Sequence, residues 1–151
     1  MNRREMLGAV GAAAAGVAVT GGKAFGQQEK GSQKPGGEHG AMAQKIAKTC
    51  SDCMNECNKG FHHCYEQLAA GKKEHALAAH LCVDCAEMCA CCAELCGRVS
   101  PMMGHCCEAC AKCCDACIAE CEKLNNPELK GVIEACRKTA KECREMAKMM
   151  G

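Results

Sequence analysis

The sequence predicts an all-α protein, an antiparallel up-down four-helix bundle with a cysteine-lined core. Three observations carry this. All 19 cysteines of the 151-residue chain fall between Cys50 and Cys143. They recur at intervals of three and four, the spacing of a single helix face. Helix-stopping and helix-starting residues divide the same stretch into four comparable lengths. A cysteine content above roughly 8–10% already marks a cysteine framework, and here it accompanies one Tyr, two Phe and no Trp.

The chain opens NRREMLGAVGAAAAGVAVTGG. Paired Arg3 and Arg4, a weakly apolar run from about Met6 to Val19, and Ala24-Phe25-Gly26 as a cleavage region read as a twin-arginine export signal over residues 1–26. The expected location is therefore periplasmic or otherwise extracytoplasmic. The run is shorter than the roughly 20 apolar residues of a membrane span, so no stable membrane insertion is expected after cleavage. Residues 27–40, QQEKGSQKPGGEHG, have the composition of a flexible linker.

The bundle is expected over residues 41–151. Gly71 and Gly97 suit the position just past a helix end, and Ser100-Pro101 and Asn126-Pro127 each offer an N-cap followed by proline at the first helical position. Helices are predicted at about 41–70, 73–96, 101–124 and 127–150, and their short connections call for antiparallel neighbours. Gly60 and Gly104 weaken their helices by about 1 kcal/mol each relative to Ala.

At 100° per residue the cysteines form stripes. The first helix aligns Cys50, Cys53, Cys57 and Cys64; the second, Cys82, Cys85, Cys89, Cys92 and Cys96; the third, Cys106, Cys107, Cys110, Cys113, Cys114, Cys117 and Cys121; the fourth places Cys136 and Cys143 among Leu129, Val132, Ala140, Ala147 and Met150. Cys91 alone points away, about 140° from the centre of its stripe. After the leader only thirteen Leu, Ile, Val and Phe remain, too few for an ordinary bundle core, so thiols occupy the core positions.

Thiols bury less apolar surface than leucines, at about 25 cal/mol lost per Å², so stability alone does not favour them. An odd cysteine count and long capped helices also fit a disulfide framework poorly. Metal binding explains the spacing. CxxxC pairs such as Cys53/Cys57, Cys85/Cys89 and Cys113/Cys117 stack two sulfurs on adjacent turns, and thiolates select Cu(I), zinc or iron-sulfur clusters. Zinc prefers isolated sets of four ligands, which a continuous column does not supply. Cys107, Cys110, Cys113 and Cys117 repeat a ferredoxin spacing, but Ile118 stands where that motif has proline. Cu(I), with low coordination numbers, suits the column best, and multiple ions are expected. A thiol-disulfide oxidoreductase would need a reactive CxxC at a helix N-terminus; the CxxC pairs here begin well inside their helices, so no enzyme activity is expected. A formal net charge of +1 and few aromatics exclude a nucleic-acid partner.

In an up-down bundle Met42, Met103, Met146 and Met150 meet at one end with His105, and Met102, Met149 and His39 lie nearby. Thioethers are soft, uncharged ligands that can pass Cu(I) inward, although methionine also plugs irregular bundle ends. His62, His63, His75 and His80 cluster at the other end, with His75 nearest the inner face.

The twin-arginine leader and the four cysteine-striped helices over about Met42 to Met150 resemble the bacterial copper storage protein family in its exported form. The resemblance implies a non-catalytic bundle that holds many Cu(I) ions on its inward cysteines, admits them at a Met/His-lined end and often forms homo-oligomers. Its partners would be copper donor and acceptor proteins or small-molecule copper carriers. Cys91 departs from the inward pattern, which leaves its role open between a peripheral copper site, a subunit contact and an exposed free thiol.

Overall fold

A computed structural model describes residues 37–150. The export signal and most of the linker, residues 27–36, fall outside the described residues. Four helices follow one another: α1 (Glu38–Ala69), α2 (Ala76–Gly97), α3 (Met103–Lys123) and α4 (Lys130–Met150). Single 3-10 turns, Lys73–His75 and Pro127–Leu129, lead into α2 and α4. No strand occurs among the described residues. The architecture is the four-helix bundle expected, with α1 beginning slightly inside the segment expected to be linker.

Two of the connections follow the predicted punctuation. Gly71 takes φ +86°, and the closing bonds Gly71 N–H to Leu68 O (2.9 Å) and Lys72 N–H to Gln67 O (3.0 Å) form the glycine-terminated helix stop. Asn126 caps the turn into α4 by accepting from the Glu128 N–H at 3.0 Å, with Pro127 at the first position.

The α2–α3 connection differs. Gly97 remains helical, and Val99 adopts the left-handed conformation at φ 50° while Ser100 N–H bonds to Leu95 O at 2.9 Å. The same stop is thus built two residues later on a β-branched side chain, at a local cost of about 1–2 kcal/mol. Val99 packs against the core, and that burial offsets the strain. Ser100 does not cap a helix starting at Pro101; its hydroxyl accepts from Met102 N–H at 3.2 Å and α3 starts at Met103.

Each helix packs on two neighbours, in the ring α1, α2, α3, α4 and back to α1. The diagonal pairs approach far less than neighbours in the ring, and buried side chains fill the centre. Gly60 sets the spacing at one point: a Cβ there would lie 2.5 Å from Val132 Cγ2 and 3.2 Å from Cys82 Sγ. This glycine is a condition of α1 lying against α4. Polar links register the seams. Lys45 pairs with Glu142 at 3.0 Å, the Thr139 hydroxyl donates to the Thr49 carbonyl at 3.5 Å, and Arg137 and Arg144 of α4 pair with Glu122 and Asp115 of α3.

Candidate metal-binding column

The heptad-like spacing turns one cysteine stripe of each helix toward the bundle axis, where the sulfurs stack. Sixteen of the nineteen cysteines are buried; Cys106 and Cys113 are intermediate and Cys91 is exposed. Near the methionine end, Cys107 Sγ lies 3.7 Å from Cys96 and 3.5 Å from Cys92, and Cys92 lies 3.9 Å from Cys143. In the middle, Cys85 Sγ sits 3.6 Å from Cys114 and 3.7 Å from Cys136, which is itself 3.7 Å from both Cys53 and Cys57. Toward the histidine end, Cys117 lies 3.9 Å from Cys82 and 4.0 Å from Cys121, with Cys64 buried beyond. All of these separations far exceed the roughly 2.05 Å of a disulfide, and all nineteen cysteines are free thiols.

The sulfurs fall into groups whose members lie within 4.8 Å of one another: Cys50, Cys92, Cys110 and Cys143; Cys53, Cys85, Cys114 and Cys136; Cys57, Cys85, Cys117 and Cys136; Cys82, Cys117 and Cys121; and Cys89, Cys110 and Cys114. Cys85, Cys110, Cys114, Cys117 and Cys136 each belong to two of these groups. Closed tetrahedral zinc sites need four ligands apiece, and these groups cannot all be closed at once. A metal that accepts two or three bridging thiolates uses every group.

Burial sets the protonation of the thiols. Desolvation pushes Cys113 up to about 12, helped by the neighbouring sulfurs Cys85 and Cys110, and also raises Cys64 and Cys106. Inside the column the thiols oppose one another. Cys53, Cys85 and Cys110 are drawn down, chiefly by hydrogen bonds from Cys114. Cys89, Cys136 and Cys143 are pushed up by hydrogen bonds to Cys110, Cys114 and Cys107 respectively. Sulfur-to-sulfur contacts of 3.5–3.7 Å link these thiols, and binding of a metal to thiols releases their protons.

At the methionine end Met103 and Met146 are buried and Met42 packs half-buried on the core. Met150 is partly exposed and closes over Gly104, and with His105 it lines a cleft of about 130 Å³ between α3 and α4. Met102, Met149, His105 and His39 are exposed. At the other end His62 and His80 are exposed beside Glu66 and Asp84, as their outward positions predict. His75 is buried, its Nδ1 has no hydrogen-bond partner, and its ring stands 5.8 Å edge-on from His63, which bonds Asn126 at 2.8 Å. Periodicity did not single out Thr139 and Glu142, which are buried polar groups on α4. Cys106 and Cys113 sit at the margins of the α3 stripe, because a stripe about 120° wide exceeds the arc that faces the axis.

A family model described as copper storage protein matches residues 39–148. The chain belongs to the copper storage protein family. Two solved structures of the family resemble it. Apo copper storage protein 3 from Bacillus subtilis is 33% identical, with a TM-score of 0.60 over 68% of this chain and 95% of that one. The Cu(I)-bound copper storage protein BsCsp3 is 31% identical, with a TM-score of 0.63 over 70% of this chain and 98% of that one. No curated protein sequence matches. The family match spans all four cysteine stripes and both bundle ends.

Proposed function

We propose that this copper storage protein holds multiple Cu(I) ions along its axis as a non-catalytic reservoir outside the cytoplasmic membrane. The observation that carries the reading is the sharing of Cys85, Cys110, Cys114, Cys117 and Cys136 between neighbouring sulfur groups. A soft ion of low coordination number uses shared thiolates as bridges, and one positive charge per thiolate keeps the interior near neutrality. Burying the same thiolates without cations would be prohibitive.

In this reading a copper donor protein or small-molecule carrier delivers Cu(I) to the methionine end. Met42, Met103, Met146 and Met150, with His105 beside them, pass it to Cys96 and Cys107 without trapping it. Each ion displaces thiol protons and moves along the column through bridging positions. The eighteen cysteines of the four stripes are the ligands; Cys106 and Cys113 serve from the margins. The twin-arginine leader would export the folded bundle, and assembly into a homo-oligomer is compatible with its exposed helix faces.

Anaerobic titration of the reduced protein with Cu(I) against a chromophoric competitor tests this, with bound metal and reactive thiols counted together. Uptake approaching one copper per cysteine, with thiols becoming unreactive and helicity unchanged, is the expected result. Saturation at one or a few ions, or a preference for zinc in sets of four thiols, would overturn it.

A further inference from the structure

Among the described residues Cys91 is the one cysteine on an exposed face, and it is not isolated. Its Sγ lies 3.8 Å from that of Cys106, which is half-buried on α3. Cys106 is next in sequence to buried Cys107, as Cys91 is to buried Cys92, and the sulfurs of Cys92 and Cys107 lie 3.5 Å apart in the column, with Cys143 3.9 Å from Cys92. Cys91 and Cys92 are adjacent on α2 and point about 100° apart. Cys106 meets Cys91 from α3 across the seam between the two helices. The column is therefore approached on the flank of the bundle by a short file of two thiols, exposed Cys91 and half-buried Cys106, each next in sequence to a buried column cysteine. At the other marginal thiol, Cys113, no exposed cysteine completes such a file.

From this arrangement we infer that Cys91 and Cys106 form a lateral exchange port, through which thiol-bearing Cu(I) carriers trade copper with the column. The inference rests on the storage reading above and adds a second route, distinct in place and in ligand type from the thioether end. An exposed cysteine contributes almost no apolar burial, so packing does not account for Cys91. Its position beside a second thiol does give it a chemical use. Cu(I) accepts two or three thiolates, so it can be held by a carrier sulfur and Cys91 together before the carrier leaves.

The exchange balances without a redox step. A bond forms between Cu(I) and Cys91 sulfur while the bond to the carrier sulfur breaks. The Cys91 proton passes to the departing carrier thiolate, and copper stays Cu(I) throughout. Repetition at Cys106 and then Cys92 carries the ion inward, each new copper–sulfur bond replacing an old one; the reverse order unloads it to excess thiol.

Stopped-flow uptake by the full-length reduced protein under anaerobic conditions tests the port, with the Cu(I)–glutathione complex as the donor. Cys91→Ser is expected to slow initial uptake, and release to excess glutathione, about tenfold or more, while final capacity falls by no more than about two ions. Cys106→Ser should behave alike, and Met103→Leu/Met146→Leu, which alters the other entry, should slow these rates less than either cysteine variant. Rates within about twofold of wild type in Cys91→Ser would overturn the port, as would equal slowing in the methionine variant. A brief maleimide pulse on the copper-free protein supplies a second readout. Cys91 should be the first thiol modified, and an unlabelled Cys91, shielded in an oligomer, would also overturn the port. The storage reading is judged separately, from the wild-type endpoint: a capacity of only a few ions refutes storage whatever the rates of the variants.

Discussion

Cys85 of α2 and Cys136 of α4 meet across the diagonal of the bundle, Sγ to Sγ 3.7 Å. Both belong to the same two four-sulfur groups. Replacing them together removes the bridge between the halves of the column. Cys85→Ser/Cys136→Ser is expected to lower Cu(I) capacity by more than two ions, because each sulfur serves two groups. Cys91→Ser/Cys113→Ser, at the margins, should lower it by two at most. Equal losses measured by competitive titration would show that the sulfurs act as independent sites.

Gly60 offers a test of packing. Alanine there should gain about 1 kcal/mol of helix propensity, but its Cβ would lie 2.5 Å from Val132 Cγ2, and overpacking typically costs about 1–3 kcal/mol. The clash is expected to win, so Gly60→Ala lowers the urea midpoint of the copper-free protein. Adding Val132→Ala should recover part of that loss. A midpoint that rises in the single variant would mean α1 and α4 separate freely.

Alkali should unfold the copper-free bundle. Burial raises Cys113 to about 12 and pushes Cys64 up from an ordinary thiol value of 9.0. A group whose folded pKa lies above its unfolded one contributes stability that is complete below the unfolded pKa and is lost as pH rises toward the folded value. Thermal stability of the copper-free protein is therefore expected to fall between about pH 9 and pH 12. The copper-loaded form, whose thiols have already given up their protons, should show little of this slope. Calorimetry of both forms across that range decides the matter.

The methionine end makes a kinetic prediction. Met103 and Met146 are buried there, and Met-to-Leu exchange usually costs less than about 1.5 kcal/mol. Met103→Leu/Met146→Leu should therefore fold and keep full capacity, while taking Cu(I) several-fold more slowly from a nitrogen-donor chelator such as bicinchoninate. Unchanged rates would reduce these methionines to packing.

Much of the molecule was legible before any coordinates. Spacing of three and four placed Cys50, Cys85, Cys117 and Cys136 on inward faces because a helix face is a local property of sequence. The same arithmetic put Cys91 outside, where the structure has it. Gly71 and Asn126 act as read, since each satisfies backbone groups within its own turn. Gly97 misled because the α2 stop depends on Val99 finding a place in the core, a tertiary event with no local signature. Which sulfurs share a group was also illegible. That depends on how far each helix slides along its neighbours, set by contacts such as Lys45 with Glu142 and Arg144 with Asp115. The marginal positions of Cys106 and Cys113 follow from the same cause, since stripe width is readable and the arc facing the axis is not.

Because the ligands of the column are also its hydrophobic core, cohesion of the fold varies with what the fold contains. A ligand bound only by the folded form lowers the population of the unfolded form, and proteases act on the unfolded chain. Empty molecules are thus degraded ahead of filled ones. Turnover of the protein then becomes selective by content, preserving the loaded fraction and clearing the rest without any dedicated sensor.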